Sequence, residues 1–201
     1  EILLGRTLNE RYRIEDRIGA GGMGLVYRAT QLNIDKPVAL KVLRAEYSEV
    51  EDVSKRFEME ARVASKINHP NVVGITDYGH TPHGSPYYVM ELLEGPSLAD
   101  IIDGGGPIAI DRALRIAAQL AAGLVPAHEL GVVHRDLKPD NVVMVAGADG
   151  EVAKILDFGI ARVKSRNTRL TAAGSVVGTP EYMAPEQAQG KEVDLRADIY
   201  S

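Results

Sequence analysis

Apolar and polar residues alternate from Tyr12 onward. Tyr12-Arg13-Ile14 starts a period of two, a glycine-rich turn interrupts it, and Leu25-Val26-Tyr27 resumes it. Residues 12–30 therefore predict a β-hairpin. Residues 37–43 (Pro-Val-Ala-Leu-Lys-Val-Leu) predict a third strand, apolar on both faces. Between Glu49 and Ile67 the spacing turns helical: Phe57, Ala61, Ala64 and Ile67 share one face, with charges opposite. His69-Pro70-Asn71 is expected to stop that helix, because proline disfavours helix in the residue before it. Residues 72–78 and 87–93 predict two further strands joined by a Gly/Pro loop.

The texture changes after Glu94-Gly95-Pro96. Residues 97–102 predict a short helix and 103–107 a loop. Asp111 is the expected N-cap of a long helix. The most apolar segment, 113–125, carries Arg115 and Gln119 and predicts a core helix, with Pro126 inside it. Residues 142–145 and 153–156 predict short strands. A polar, glycine-containing stretch covers 164–178, and a helix starts at Ala184-Pro185-Glu186. No repeat is present. The organisation is a β-rich part, a linker near Leu92–Pro96, and a helical part.

Composition narrows the classes. Of 201 residues, 45% are hydrophobic and 25% charged, which is ordinary for a globular chain. Aromatics make up 5% without Trp, so Val, Ile, Leu and Ala must carry the core. The net charge of −5 comes with no basic stripe, which argues against nucleic acid as a partner. Without cysteine there are no disulfides, and a reducing compartment is compatible. The start, Glu1-Ile2-Leu3-Leu4, lacks the basic region and apolar run of a signal peptide. No run of about 18 uncharged apolar residues is long enough for a membrane span. A cytoplasmic setting is expected, with a membrane anchor elsewhere in a longer parent left open.

Four segments carry chemistry. Gly19-Ala20-Gly21-Gly22-Met23-Gly24-Leu25-Val26 fits G-x-G-x-x-G-x-V. Glycines there let backbone N–H groups approach phosphates, although such turns are also common in plain hairpins. The strand that follows opposes a dinucleotide-binding reading, which needs a helix. Lys41 lies among apolar neighbours and needs an anion, since an unpaired buried charge is costly. Phosphates and Glu60 are both candidates, and a head group reaching the surface is the plainer alternative. His134-Arg135-Asp136-Leu137-Lys138-Pro139-Asp140-Asn141 is the densest polar run. Asp136 suits proton abstraction from a hydroxyl, Lys138 suits neutralising a phosphoryl group, and Asn141 offers oxygen to a hard cation. Asp157-Phe158-Gly159 follows an apolar strand, and its carboxylate suits Mg²⁺. Taken alone, the first and last fit an ordinary turn as well as a site, whereas the third fits a site better than a plain polar surface turn.

Taken together and in order, these segments with Val38-Ala39-Leu40-Lys41, Glu60 and Ala184-Pro185-Glu186 resemble the protein-kinase family from about Tyr12 to Ser201. Gly159-Ile160-Ala161-Arg162 and the run from Gly178-Thr179-Pro180 to Gln187-Ala188 resemble its bacterial Ser/Thr (Hanks-type) branch. The resemblance implies an α+β, bilobal protein-kinase-like fold. A small antiparallel β lobe with one helix spans 1–93, and a mainly helical, incomplete lobe spans 94–201. It implies a transferase that moves the ATP γ-phosphoryl group to Ser or Thr hydroxyls of protein substrates, with Mg²⁺ and with Mn²⁺ as a substitute.

Residue roles come with the resemblance. Ile18 and the loop Gly19, Ala20, Gly21, Gly22, Met23 and Gly24 cover the phosphates. Lys41 holds the α- and β-phosphates and pairs with Glu60. Val26, Ala39 and Val143 enclose adenine, Met90 limits the back of that pocket, and the backbone of Glu91 and Leu93 bonds the base. Ser97 falls at a ribose position. Asp136 is the base, and Asn141 and Asp157 hold the metal. Lys138 and Thr179 mark Ser/Thr rather than Tyr specificity. Arg135 senses a phosphate on the activation segment 157–186, with Thr171, Ser175 and Thr168 as acceptors. A homodimer through the β-rich lobe is a further implication of the branch. The main alternative is a pseudokinase scaffold, whose usual losses at Lys41, Asp136 or Asp157 are absent here.

Two departures from the family pattern stand out. Pro126 replaces the common alanine. The family also continues well past Ser201, and Glu186 lacks the later arginine it usually pairs with. Asp198 resembles the aspartate that braces the catalytic loop. The 201 residues alone are expected to expose apolar surface, to lack the support that the family places beyond Ser201, and to be inactive.

Overall fold

The computed structural model describes residues 3–21, 23–48, 50–158 and 180–201. The chain divides into two compact units, one formed by Glu1–Lys66 with Val73–Leu93, the other by Ile67–Val72 with Glu94–Ser201.

The first unit is built on a six-stranded antiparallel sheet. Its strands are β1 (Thr7–Leu8), β2 (Tyr12–Ala20), β3 (Gly24–Gln31), β4 (Lys36–Leu43), β5 (Ile75–His80) and β6 (Pro86–Glu91), in the spatial order β1-β2-β3-β4-β6-β5. Alternation in β2 buries Tyr12 and Ile14 and exposes Arg13 and Glu15. β4 buries Val38, Ala39, Leu40, Val42 and Leu43, so both of its faces are covered, as its composition predicts. After the short α1 (Ala45–Ser48), helix α2 (Glu51–Ala64) buries Phe57, Glu60, Ala61 and Ala64. The Phe57 ring packs 5.0 Å from that of Tyr88.

Two boundaries differ from expectation. α2 ends at Ala64, well before Pro70. At the C-cap, the Ser65 hydroxyl donates to the Arg62 carbonyl at 2.9 Å. β5 begins at Ile75 rather than Val72, because Val72 bridges in parallel to Ile155 in the second unit.

In the second unit, Ser97 caps α3 (Leu98–Gly105) through a reciprocal pair of bonds with Asp100. The expected loop at 103–107 starts only at Gly106, whose φ of 73° suits glycine. α4 (Ile110–Glu129) starts after Ala109, not at Asp111. Asp111 sits inside the first turn, where a carboxylate favours the helix dipole, and accepts a bond from Arg115 at 2.8 Å. Pro126 lies within α4 and removes the N–H that Ala122 would have bonded. Ala122 itself is exposed.

α4 packs on a hairpin of β7 (Val142–Gly147) and β8 (Gly150–Ile155). Buried Asn71 ties this region together. Its Nδ2 donates to Gln119 Oε1 at 2.8 Å and to the Ala153 carbonyl at 2.9 Å, while Gln119 Oε1 also accepts the Ala153 N–H at 2.9 Å. The short α5 (Pro185–Ala188) and α6 (Arg196–Tyr200) follow. Ile110, Leu114 and Val125 on α4, and Ile199 and Tyr200 on α6, are exposed. Among the described residues no helix is long and apolar enough to cross a membrane.

Candidate active site

Strand register gathers the first group of site residues. Val26 lies opposite Lys41, Ala39 opposite Met90, and Lys41 opposite Tyr88. Directly paired residues share a sheet face, and so do positions two apart on a strand. Val26, Ala39, Lys41, Tyr88 and Met90 therefore line one face. Lys41 Nζ lies 4.0 Å from Glu60 Oε1 and 5.8 Å from the Tyr88 ring centroid. Both charged side chains are nearly closed off from water, at 13% and 8% exposure.

The glycine-rich turn joins β2 to β3. Gly21 N–H donates to the Gly24 carbonyl at 2.9 Å. A Cβ on Gly24 would stand 3.1 Å from the Val42 carbonyl oxygen and 3.3 Å from Lys41 Cγ, so the start of β3 lies close against the lysine stem. Arg44 fastens the turn to the end of β4. Its N–H donates to the Met23 carbonyl at 3.0 Å and its Nη2 to the Gly21 carbonyl at 3.3 Å. Ile18 is exposed, and Gly19 and Ala20 end β2. Glu91 Oε1 accepts the Gly74 N–H at 2.9 Å, and Leu93 is half-buried at the last residue of this unit.

The polar run 134–141 is organised around two buried groups in the second unit. Asp198 reaches it from α6. One carboxylate oxygen accepts the His134 N–H and the His128 Nε2–H, each at 2.8 Å, and the other accepts the Arg135 N–H at 2.8 Å. Asp198, the residue that the resemblance gives as the brace, thus grips the loop through its backbone. His134 is fully buried. Its Nε2–H donates to the Leu156 carbonyl at 2.8 Å, which leaves Nδ1 to accept the Asp136 N–H at 3.3 Å. Burial pushes the His134 imidazole below its ordinary pKa, so the ring is neutral and this tautomer is fixed.

Asp136, Asn141 and Asp157 follow from that frame. Asn141 Nδ2 donates to the Asp136 carbonyl at 2.7 Å and to Asp136 Oδ2 at 3.3 Å. With its amide donor end turned to Asp136, Asn141 keeps Oδ1 as an acceptor. The Asn141 carbonyl accepts the Leu156 N–H at 2.8 Å, placing Asp157 next along the chain. Asp157 has φ 46° and Arg135 φ 66°, left-handed conformations that non-glycine residues adopt at a cost. Lys138 is extended before Pro139, and its carbonyl accepts the Asn141 N–H at 2.9 Å. Among the described residues no group of three or more His, Cys, Asp or Glu could hold a metal by itself. One amide oxygen and one carboxylate fit a hard cation that takes its remaining oxygens from phosphates and water.

A model of the protein kinase domain matches residues 12–201. The chain belongs to the protein kinase family. It is 43% identical over 202 residues to serine/threonine-protein kinase pkn3 of Myxococcus xanthus, covering 98% of this chain and 37% of that protein. It is 39% identical over 197 residues to serine/threonine-protein kinase PknB of Mycobacterium leprae, covering 96% of this chain and 31% of that protein. The chain thus spans about a third of the length of these relatives. The crystal structure of the Mycobacterium tuberculosis PknI kinase domain superposes with a TM-score of 0.75 at 26% identity, covering 98% of this chain and 73% of that one. The fold is that of protein kinases, in agreement with the resemblance read from the motifs.

Several expected kinase positions lie outside the described residues: Gly22, Gly159, Thr168, Thr171, Ser175, Gly178 and Thr179. The Ser97 hydroxyl, expected near a ribose, donates to Asp100 Oδ2 at 2.6 Å as part of the α3 cap. Val143 sits half-buried on β7 and bridges to Ser97. Sequence reasoning missed His128, Asn71 and Gln119, and assigned no role to Gln187. His128 and Gln187 touch Asp198 and the loop backbone, and no local motif announces such partners.

Proposed function

We propose that the protein is a serine/threonine protein kinase that transfers the γ-phosphoryl group of ATP to hydroxyls of protein substrates. The observation that carries this reading is the Asp136–Asn141 pair. Asp136 has its backbone fixed by buried His134, and the Asn141 amide leaves an oxygen for a cation. The names of the relatives support the same activity.

Each residue then has a task. Lys41, held by Glu60, grips the α- and β-phosphates, and the turn at Gly21–Gly24 lies over them. Val26, Ala39, Met90 and Val143 contact adenine, and the backbone of Glu91 and Leu93 reads its edge. Asp136 orients the acceptor hydroxyl and takes its proton as the new O–P bond forms and the bond to the β,γ-bridging oxygen breaks. Lys138 stabilises charge on the moving phosphoryl group. Asn141 and Asp157 hold Mg²⁺, which neutralises the phosphate oxygens when bound. Lys138 and Thr179 favour Ser and Thr acceptors. Arg135 reads a phosphate on Thr171, Ser175 or Thr168. Self-association through the β-rich unit and a cytoplasmic site of action rest on the resemblance alone.

The test is transfer from radiolabelled ATP to a generic basic protein, with and without Mg²⁺. Label is expected on the substrate, and on residues 168–175 by mass spectrometry. Asp136→Asn is expected to abolish transfer while ATP still binds. Transfer undiminished in Asp136→Asn would overturn the assignment.

A further inference from the structure

Gln187 occupies an unusual place. It lies in α5, outside the loop that carries the chemistry. Its Oε1 accepts the Ala184 N–H at 3.1 Å, which ties the side chain to the start of its own helix. Its Nε2 donates to the Arg135 carbonyl at 2.8 Å, 52 residues away in the chain. The amide is thus used at both ends, and its orientation is fixed.

The Arg135 carbonyl belongs to the same planar peptide unit as the Asp136 N–H. That N–H donates to His134 Nδ1 at 3.3 Å. The peptide plane between Arg135 and Asp136 is therefore pinned from both sides, by Gln187 at the oxygen and by His134 at the nitrogen. The preceding plane is pinned at the Arg135 N–H by Asp198. Arg135 needs such restraint, because its φ of 66° is a conformation that a side-chain-bearing residue leaves readily. The orientation of this plane sets the direction in which the Asp136 side chain departs from the backbone. Asp198 and His134 alone leave the carbonyl end of the plane unheld.

We propose that Gln187 is a positioning residue for Asp136. It transmits the placement of the α5 start to the proton-accepting carboxylate through the Arg135 carbonyl. A shift of α5 away from the loop breaks this bond and loosens Asp136 without touching it. The inference rests on the kinase reading for its kinetic consequence, but not for its structural one.

Gln187→Glu is the discriminating variant. It retains an oxygen for the Ala184 N–H and replaces the donor to Arg135 with a carboxylate oxygen that repels the carbonyl. Hydrogen exchange of the Asp136 amide is expected to quicken about tenfold or more, the effect of one lost restraining bond. For phosphoryl transfer, kcat is expected to fall about tenfold with KM for ATP and the melting temperature nearly unchanged. The loss is expected to shrink as pH falls below about 4.3, the ordinary Glu pKa, where most Glu side chains are protonated and can donate again. Gln187→Leu, which removes both ends, is expected to match the kcat loss and also to melt lower. Unchanged exchange at Asp136 in Gln187→Glu would overturn the proposal. So would a kcat loss that persists at low pH and is accompanied by an equal loss of stability. If the wild-type protein transfers no phosphate, the kinase reading fails, and the exchange measurement still decides the role of Gln187.

Discussion

Asp198 lies 64 residues beyond His134 in the chain, yet its carboxylate accepts the His134 N–H at 2.8 Å. The same group holds the Arg135 N–H and the His128 ring, and it is 3% exposed. Asp198→Asn turns an amide toward at least one of these donors and leaves it unsatisfied. A hydrogen bond to a charged group contributes about 1.5–3 kcal/mol, and a stranded buried donor costs about as much. The variant is expected to lose about 3 kcal/mol of stability, read as a lower denaturant midpoint at constant slope. A loss below about 1 kcal/mol would show that the buried carboxylate is not what anchors the loop.

Lys41 and Glu60 form a pair that is nearly sealed from water. Removing one partner takes away a charge 4.0 Å from the other in a site nearly closed to water, and breaking a buried pair in this way costs up to about 3 kcal/mol. Lys41→Met and Glu60→Leu are each expected to destabilise strongly. The double variant removes both charges at once and is expected to be less destabilised than the sum of the two. A double-mutant cycle measures the difference, and strict additivity would mean that the two side chains do not depend on each other.

The sequence reveals one kind of information far better than another. The hairpin over 12–30 and the strand around Lys41 follow from periodicity, because burying one or both faces of a strand forces a visible pattern. The kinase motifs are visible because their chemistry needs rare residue combinations at short range. The helical spacing runs to Ile67, whereas α2 ends at Ala64. Asp111 marks the start of α4 in the sequence, but it stands in the first turn rather than at the cap. The sequence assigns Asn71, Gln119 and Gln187 no hydrogen-bonding role. Their partners are backbone groups or amides tens of residues away, and a backbone partner leaves no trace in composition or spacing.

Gly95 shows the same limit in a testable form. A Cβ built there would lie 1.9 Å from the Met144 carbonyl oxygen, and the neighbouring Pro96 carbonyl accepts the Met144 N–H at 2.9 Å. The clash is with backbone, so no side-chain rotation relieves it. Gly95→Ala is expected to cost about 3 kcal/mol or more, in the range reserved for severe backbone conflicts. A thermal or urea midpoint within experimental error of wild type would contradict this close approach of the two segments.

Pro126 is the opposite case, a residue whose replacement is expected to help. A proline deep inside a helix costs about 3 kcal/mol. Pro126 lies in the last turn of α4, where helices fray, so the expected gain is smaller. Pro126→Ala is expected to stabilise by about 1 kcal/mol, seen as a melting temperature a few degrees higher. An unchanged or lower midpoint would refute strain at this position.

His134 makes the stability depend on pH. Burial lowers its pKa in the folded protein, whereas the unfolded chain has a histidine near the ordinary value of about 6.5. Below about pH 6.5 the unfolded state therefore binds a proton that the folded state resists. Stability from this group is complete above that value and is lost as pH falls toward the depressed folded pKa. One proton changes the slope by about 1.4 kcal/mol per pH unit. His134→Gln keeps a donor for the Leu156 carbonyl and removes the titration. Its stability at neutral pH is expected to be lower, but its decline between about pH 6.5 and 5 should be shallower by close to one proton. Equal slopes in the two proteins would mean that the buried ring takes up its proton without unfolding.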